Sequence, residues 1–444
     1  MKKILFIGII LALIFFSGCI QQPEQPLNEK PFEPIEPVEP VPDDNTPITP
    51  PIEPPIQTEK GYPFDFYAFL EINKTDNFQE RIVNQEIKEF EGTKLEIKRM
   101  TFYSHTAHNE DWDARMTIIK PENYNGNQAI ILDFGNLGRT ESEIGYSIAS
   151  ELNLLVILLN PYYGSHHGMN SASDYRDFAL KKVSETRDFS WDLKVQYGNT
   201  ILRAMTLAEK ELGVSKFVVG GLSKGGESLF IPAAVDSRIK GVWTSGVYGG
   251  KMDWIFEEFG EENGVRVIKD SFPDLTTDFG QEFLQATDAY YFSDLLTIPI
   301  KLNNGLQDSV IPYHSIESFY NALTDKSLMY VDSGHTVDSD EYRSSLKAFI
   351  QIVFFDRGTP EISLDYSDNE NVTAVIDYDL SGVTITDVSL NYFAENKWQS
   401  KLMTFNGSSY STSFPKNFEN EFFVTVKDSF NGIDNYSTTL IFEK

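Results

Sequence analysis

The stretch Val218-Val219-Gly220-Gly221-Leu222-Ser223-Lys224-Gly225-Gly226 constrains the fold most, because an apolar run suited to a strand ends in GxSxG and passes directly into Glu227-Ser228-Leu229-Phe230, which reads as a helix start. A strand that must turn sharply into a helix around a serine needs small residues where the two elements approach. Gly221 and Gly225 supply them. A serine hydroxyl is a weak nucleophile at neutral pH, so presenting it on such a turn makes chemical sense where a base and backbone N–H donors converge on it.

The runs at residues 129–134, 154–159, 217–220, 241–245, 298–303 and 328–331 are short and almost continuously apolar, as strands buried on both faces of a parallel sheet are. Before them, residues 95–103 and 112–120 alternate polar and apolar positions and predict two antiparallel strands joined by a polar connection at 105–111. Between the runs, Ile201, Leu202, Met205, Ala208 and Leu212 place one apolar face on a helix over 200–212. The expectation is an α/β domain over 61–357. Residues 247–295 interrupt the alternation with Trp254, Phe256, Phe259, Phe272, Tyr290 and Tyr291, and read as a cap over the site or a packed peripheral helix pair. From Pro360 to 444, about seven short strand-like runs separated by Asp, Asn, Gly and Ser predict a small all-β sandwich of immunoglobulin-like size.

The first sixty residues follow other rules. Lys2 and Lys3, an apolar run from Ile4 to Phe16, and Ser17-Gly18-Cys19 predict a secretory signal at 1–19. Cys19 sits where a lipoprotein signal is cut and lipidated; a simple membrane anchor, or a cleaved signal with an incidental cysteine, is the alternative. As Cys19 is the only cysteine, no disulfide can form within one chain. The segment 20–60 is a Pro/Glu-rich spacer: within 21–60 lie twelve of the 21 prolines, with nine Asp or Glu against two Lys. Such a composition stays extended and solvated. The expected location is the outer face of the cytoplasmic membrane, lipid-anchored or secreted. A formal charge of −29 argues against nucleic-acid partners, which require Lys and Arg clusters. Asn73, Asn371, Asn406 and Asn435 begin N-x-Ser/Thr sequons, three of them in the C-terminal module, which reads either as an exposed module or as chance in an Asn-rich sequence.

A nucleophilic serine needs a base, and the base needs an acid to fix its tautomer. Asp308 follows the run ending at Asn303, and His335 follows the run at 328–331, so serine, acid and histidine come in the order of one known triad arrangement. Asp308 could instead cap the helix beginning near Tyr313, where His314 belongs. Asp332 is the rival acid, only three residues before the histidine. The oxyanion donors are expected from the N–H of Lys224 and from the loop Phe134-Gly135-Asn136-Leu137-Gly138, with Asn136 as the second donor. Tyr162-Tyr163-Gly164-Ser165-His166-His167 opens on the same sheet edge. Adjacent histidines diverge, and no Cys or carboxylate cluster accompanies this pair, so a substrate-facing or surface loop is preferred to a metal site.

Together these residues resemble the α/β-hydrolase superfamily over roughly 95–357. The segments Gly221–Lys240 (with Ala233-Ala234-Val235-Asp236-Ser237-Arg238-Ile239) and Gly305–Leu323 (with Gly305-Leu306-Gln307-Asp308 and Phe319-Tyr320-Asn321) look like two of its branches: the dienelactone hydrolase and acetyl xylan esterase group, and the PhoPQ-activated pathogenicity-related family. The resemblance implies a doubly wound, mostly parallel sheet, a Ser223, His335, Asp308 triad, and no cofactor. Lys224 replaces the glutamine that acetyl xylan esterases carry after the nucleophile, and Phe134-Gly135-Asn136 replaces their His-Gly-Tyr loop. The second family also carries a β-rich tail, comparable to 360–444. The expected activity is hydrolysis of a small-molecule or polymer carboxylic ester through an acyl-enzyme. A prolyl-oligopeptidase-type peptidase and a non-catalytic surface binding protein on a hydrolase scaffold are the alternatives.

Overall fold

The computed structural model describes residues 77–443 apart from 136–138, 367–369 and 379–381. The signal, the spacer, Cys19, Asn73 and Asn136 fall outside the described residues. Among the described residues, no helix is long and apolar enough to cross a membrane.

The chain opens with an antiparallel meander, β1 (Arg81–Phe90), β2 (Thr93–Ala107) and β3 (Glu110–Pro121). The strands β4 (Gln128–Asp133), β5 (Leu155–Asn160), β6 (Lys216–Leu222), β7 (Ile239–Ser245), β8 (Ile300–Gly305) and β9 (Lys326–Val331) continue the sheet in the order β1-β2-β3-β5-β4-β6-β7-β8-β9. Pairing is parallel from β5 through β9. The helices are α1 (Arg139–Leu152), α2 (Ala172–Thr186), α3 (Leu193–Leu212), α4 (Lys224–Glu227), α5 (Phe230–Val235), α6 (Met252–Glu258), α7 (Asn263–Lys269), α8 (Asp278–Thr287), α9 (Glu317–Ala322) and α10 (Asp340–Phe354). Alternate residues of the central strands feed two cores. Ala129, Ile131, Phe217 and Val219 pack with Ile201, Met205 and Ala208 of α3, whereas Ile130, Leu132 and Val218 pack with Ile148 of α1 and Leu346 and Phe349 of α10. Burial on both faces is why these strands read as unbroken apolar runs.

The structure corrects several local expectations. The polar connection at 105–111 is mostly strand: β2 runs to Ala107 and β3 starts at Glu110, leaving His108 and Asn109 as the turn, at φ 52° and 66°. Two positive φ values in a two-residue loop match the twist of the flanking strands. Helix α3 starts seven residues before Thr200, at Leu193, with the Asp192 side chain accepting from the Lys194 N–H at 2.7 Å. Its first half hides polar residues, with Asn199, Thr200 and Gln196, which bonds His105, all buried, so no apolar stripe advertised that half. Strand β1 is exposed along nearly its whole length and showed no alternation to read.

The C-terminal region holds two antiparallel sheets. Strands β10 (Pro360–Asp365), β11 (Asn371–Tyr378), β14 (Thr404–Phe405) and β15 (Tyr410–Ser413) form one, in the order β10-β11-β15-β14. Strands β12 (Thr384–Ala394), β13 (Lys397–Leu402), β16 (Glu421–Phe430) and β17 (Ile433–Thr438) form the other, with β18 (Phe442–Glu443) also on β16. Thr438 ends β17 and Phe442 begins β18. Val372, Leu390, Phe422 and Val424 make the core of this region.

This region wraps the edge of the large sheet. On one side Lys301 of β8 donates to the Asn435 side chain and the Tyr436 carbonyl, each at 2.7 Å; on the other, the ring of Phe423 lies 5.4 Å from that of Tyr330 on β9. Asn435 is wholly buried in this contact, so its sequon is closed to a glycosylating enzyme in the folded chain, whereas Asn371 and Asn406 are exposed.

Candidate active site

Ser223 follows β6 immediately and caps α4 at φ 55°, ψ −126°, a conformation a non-glycine residue holds only under constraint. Its N–H donates to the Ser245 carbonyl at 2.9 Å, tying the turn to the end of β7. The surrounding glycines are obligatory. A Cβ on Gly221 would lie 2.6 Å from the Gly226 nitrogen, one on Gly225 2.5 Å from the Asp133 carbonyl oxygen, and one on Gly226 2.7 Å from Val247 Cγ1. Gly225→Ala pushes on backbone, which cannot swing aside. We expect it to lower stability by about 1–3 kcal/mol in urea unfolding, and to abolish labelling of Ser223 by a fluorophosphonate.

Asp308 lies just past β8 and His335 just past β9, on the same carboxyl edge of the sheet as Ser223. His335 Nδ1 and Asp308 Oδ2 are 2.7 Å apart. The other carboxylate oxygen accepts from the Val310 and Ile311 N–H groups at 2.8 and 2.9 Å. Three donors thus orient a carboxylate whose side chain is 1% exposed, and because Asp308 accepts, Nδ1 carries the proton and Nε2 is left as the basic nitrogen. The loops carrying the two residues meet where Gly305 has no side chain; a Cβ there would come 2.4 Å from the Ser333 carbonyl oxygen.

The imidazole rests on Gly246, where a Cβ would lie 2.9 Å from both Cε1 and Nδ1. Gly246 directly follows Ser245, the residue that holds the Ser223 N–H. The structure therefore brings Ser223, His335 and Asp308 to one edge and joins the latter two directly. Ser223 and His335 make no hydrogen bond with each other in this structure, a looseness common before substrate aligns the pair. Asp332 points elsewhere, accepting from Gln307 Nε2 at 2.7 Å.

Other residues singled out in the sequence have different places. The Lys224 N–H begins α4 beside the serine. In the loop after β4, the Gly135 N–H is already engaged by Asp133 Oδ1 at 3.1 Å. His314 is in a short 3₁₀ turn after Asp308 and pairs with Glu317 and, at 3.1 Å, with Glu421 of β16; Tyr313 donates to the same carboxylate at 3.0 Å. Burial would lower the His314 pKa, but these two carboxylates outweigh it and lift it to about 9. His166 stacks flat on Trp112 at 3.9 Å, while His167 reaches toward Glu110 at 3.1 Å. Among the described residues, no three His, Cys, Asp or Glu side chains converge as metal ligands.

Sequence reasoning passed over two acids near the elbow. Glu227, on the first turn after Ser223, accepts from the Tyr248 and Gly249 N–H groups at 2.6 and 3.2 Å, and burial raises its pKa. Asp288 does the same for the Lys251, Met252 and Tyr290 N–H groups. Together they pin the segment leaving β7, whose Gly246, Gly249 and Gly250 all have positive φ. That segment leads into α6–α8, whose Met252, Ile255, Phe256, Val265 and Leu284 pack with Val310 and Ile311 beside Asp308.

A mixed sheet flanked by helices, with a serine turn after a central strand, defines an α/β-hydrolase fold. The acetyl xylan esterase from Paenibacillus sp. R4 is similar to the chain, at 15% identity over 65% of this chain and 93% of that one, with a TM-score of 0.51. Acetyl xylan esterase 1 from Thermoanaerobacterium sp. JW/SL YS485 aligns at 16% identity over 66% and 95%, with a TM-score of 0.48. The chain belongs to the PhoPQ-activated pathogenicity-related protein family, whose sequence pattern matches residues 72–399. No curated protein matches it.

Proposed function

We propose that the protein is a serine hydrolase of carboxylic esters, held outside the cytoplasmic membrane by a lipid on Cys19. The observation that carries the reading is the bond from His335, resting on Gly246, to the buried Asp308 carboxylate, beside a serine strained into a tight turn. In this reading Ser223 Oγ attacks the ester carbonyl carbon while His335 Nε2 takes its proton. Asp308 stabilises the imidazolium, and the Lys224 N–H, with a second donor at Asn136, holds the oxyanion. His335 returns the proton to the departing alkoxide, and water then releases the acid by the reverse sequence. Residues 247–295 form one wall of the substrate site, and residues 360–444 are an immunoglobulin-like module. The anchor rests on Lys2, Lys3, the apolar run and Ser17-Gly18-Cys19.

The test is a fluorophosphonate probe on the purified chain, with the modified residue located by peptide mass spectrometry. The expected adduct is on Ser223 and is lost in His335→Ala. A folded chain that takes no label would defeat the reading; a labelled chain that cleaves acyl-peptides but no ester would move the substrate class to peptides.

A further inference from the structure

One buried carboxyl that the reading above leaves unused lies against the turn that follows the serine. Asp133 ends β4 opposite Gly221 of β6, and its side chain is 1% exposed. Oδ1 accepts from the Gly135 N–H at 3.1 Å, while Oδ2 is buried with no hydrogen-bond partner. A Cβ on Gly225 would come 2.7 Å from both Cγ and Oδ2, so the carboxyl fills the space under the turn where α4 begins. The next residue back from Gly225 is Lys224, whose N–H is assigned to the oxyanion.

An ionised carboxylate held there with a bare oxygen is costly, and a proton on Oδ2 is the economical state. The groups that face it are few. Burial pushes the pKa up to about 7, against the Gly135 N–H and the charge of Lys224 on α4. From α3 Tyr197 faces it as a neutral phenol, whose own pKa burial raises and the Asp133 charge raises further.

We propose that Asp133 is a positioning residue that serves the reaction only while protonated: neutral, it props the start of α4 and holds Gly135; ionised, it sets a negative charge beneath the developing oxyanion. The inference rests on the serine-hydrolase reading. The protonation favours the reaction because the oxyanion is stabilised by donors and opposed by a nearby like charge in a site of low dielectric.

The experiment compares kcat/KM for p-nitrophenyl acetate, and the rate of fluorophosphonate labelling, from pH 5 to 10 in the full chain and in Asp133→Asn. In the wild type the rate falls about tenfold or more as Asp133 ionises, the size expected of one added charge in a partly buried site. Asp133→Asn, neutral at every pH, loses the falling limb whatever its absolute rate. A merely structural role would lower both profiles by one factor, and parallel profiles overturn the proposal. Carboxyl ¹³C NMR gives a readout that needs no activity: a resonance titrating near 7, absent from Asp133→Asn, is expected. A carboxyl already ionised at pH 5 overturns the proposal. A wild-type chain that neither turns over ester nor takes the label overturns the serine reading, and this proposal with it.

Discussion

In Ser223→Ala, turnover of p-nitrophenyl acetate falls by about 10⁴- to 10⁶-fold, the loss expected when the nucleophile of a cooperating triad is removed. Stability changes by less than about 0.5 kcal/mol, because the missing hydroxyl makes no hydrogen bond to the protein and the strained backbone is kept by its neighbours. His335→Ala costs a similar factor, and the double variant costs little more than either single one, since residues acting as a unit are not additive. Asp308→Asn is milder, at about 10⁴-fold, because the amide keeps the shape and loses the acceptor that fixes Nδ1–H on His335. Steady-state kinetics with matched unfolding curves checks the set. If Ser223→Ala retains turnover within tenfold of wild type, hydrolysis runs elsewhere in the molecule.

The largest expected stability change lies far from this site. Arg357 and Asp428 form an ion pair with both side chains fully buried, Asn435 donates to Asp428 Oδ2 at 2.9 Å, and Lys301 lies buried beside them, bonded to Asn435. Asp428→Ala strands the buried Arg357 cation and should cost about 3–5 kcal/mol in urea unfolding. Asp428→Asn retains the packing and part of the bonding, and should cost less. A loss under about 1 kcal/mol in Asp428→Ala would show that the cluster is not held by this charge. The same cluster sets a pH dependence. Burial lowers the Lys301 pKa from its ordinary 10.5 to about 7, against the pull of Asp428. Between these values the unfolded chain binds more protons, so Lys301 makes stability rise with pH across that window. Lys301→Met should flatten the rise.

Much of the fold was legible because its signals are local. The runs at 129–134, 217–220 and 241–245 had to be buried strands, and Gly221 and Gly225 announced the elbow that the steric contacts explain. The order Ser223, Asp308, His335 was readable, but the 2.7 Å bond across 27 residues depends on two loops meeting at Gly305. Burial of charge was not legible. Asp133, Glu227 and Asp288 are acids in sequence and backbone clamps or props in space, because their partners are N–H groups, which every residue offers. Asn435 failed for the same reason: a sequon records residue types, whereas its accessibility depends on Lys301, 134 positions away. Exposed β1 failed the opposite way, having no buried face to impose a period.

The loop that carries Asp308 is gripped from two directions. Val310 and Ile311 are packed into the aromatic segment after β7, while Tyr313 and His314 are tied to Glu421 of the C-terminal sheets. A carboxylate bonded to an imidazole at 2.7 Å is thus fastened by two pieces of chain, one inserted between strands and one appended after them. The appendage is not cargo: in mechanical terms it is an abutment, and a displacement of β16 would be felt at the imidazole through one glutamate and four residues of loop.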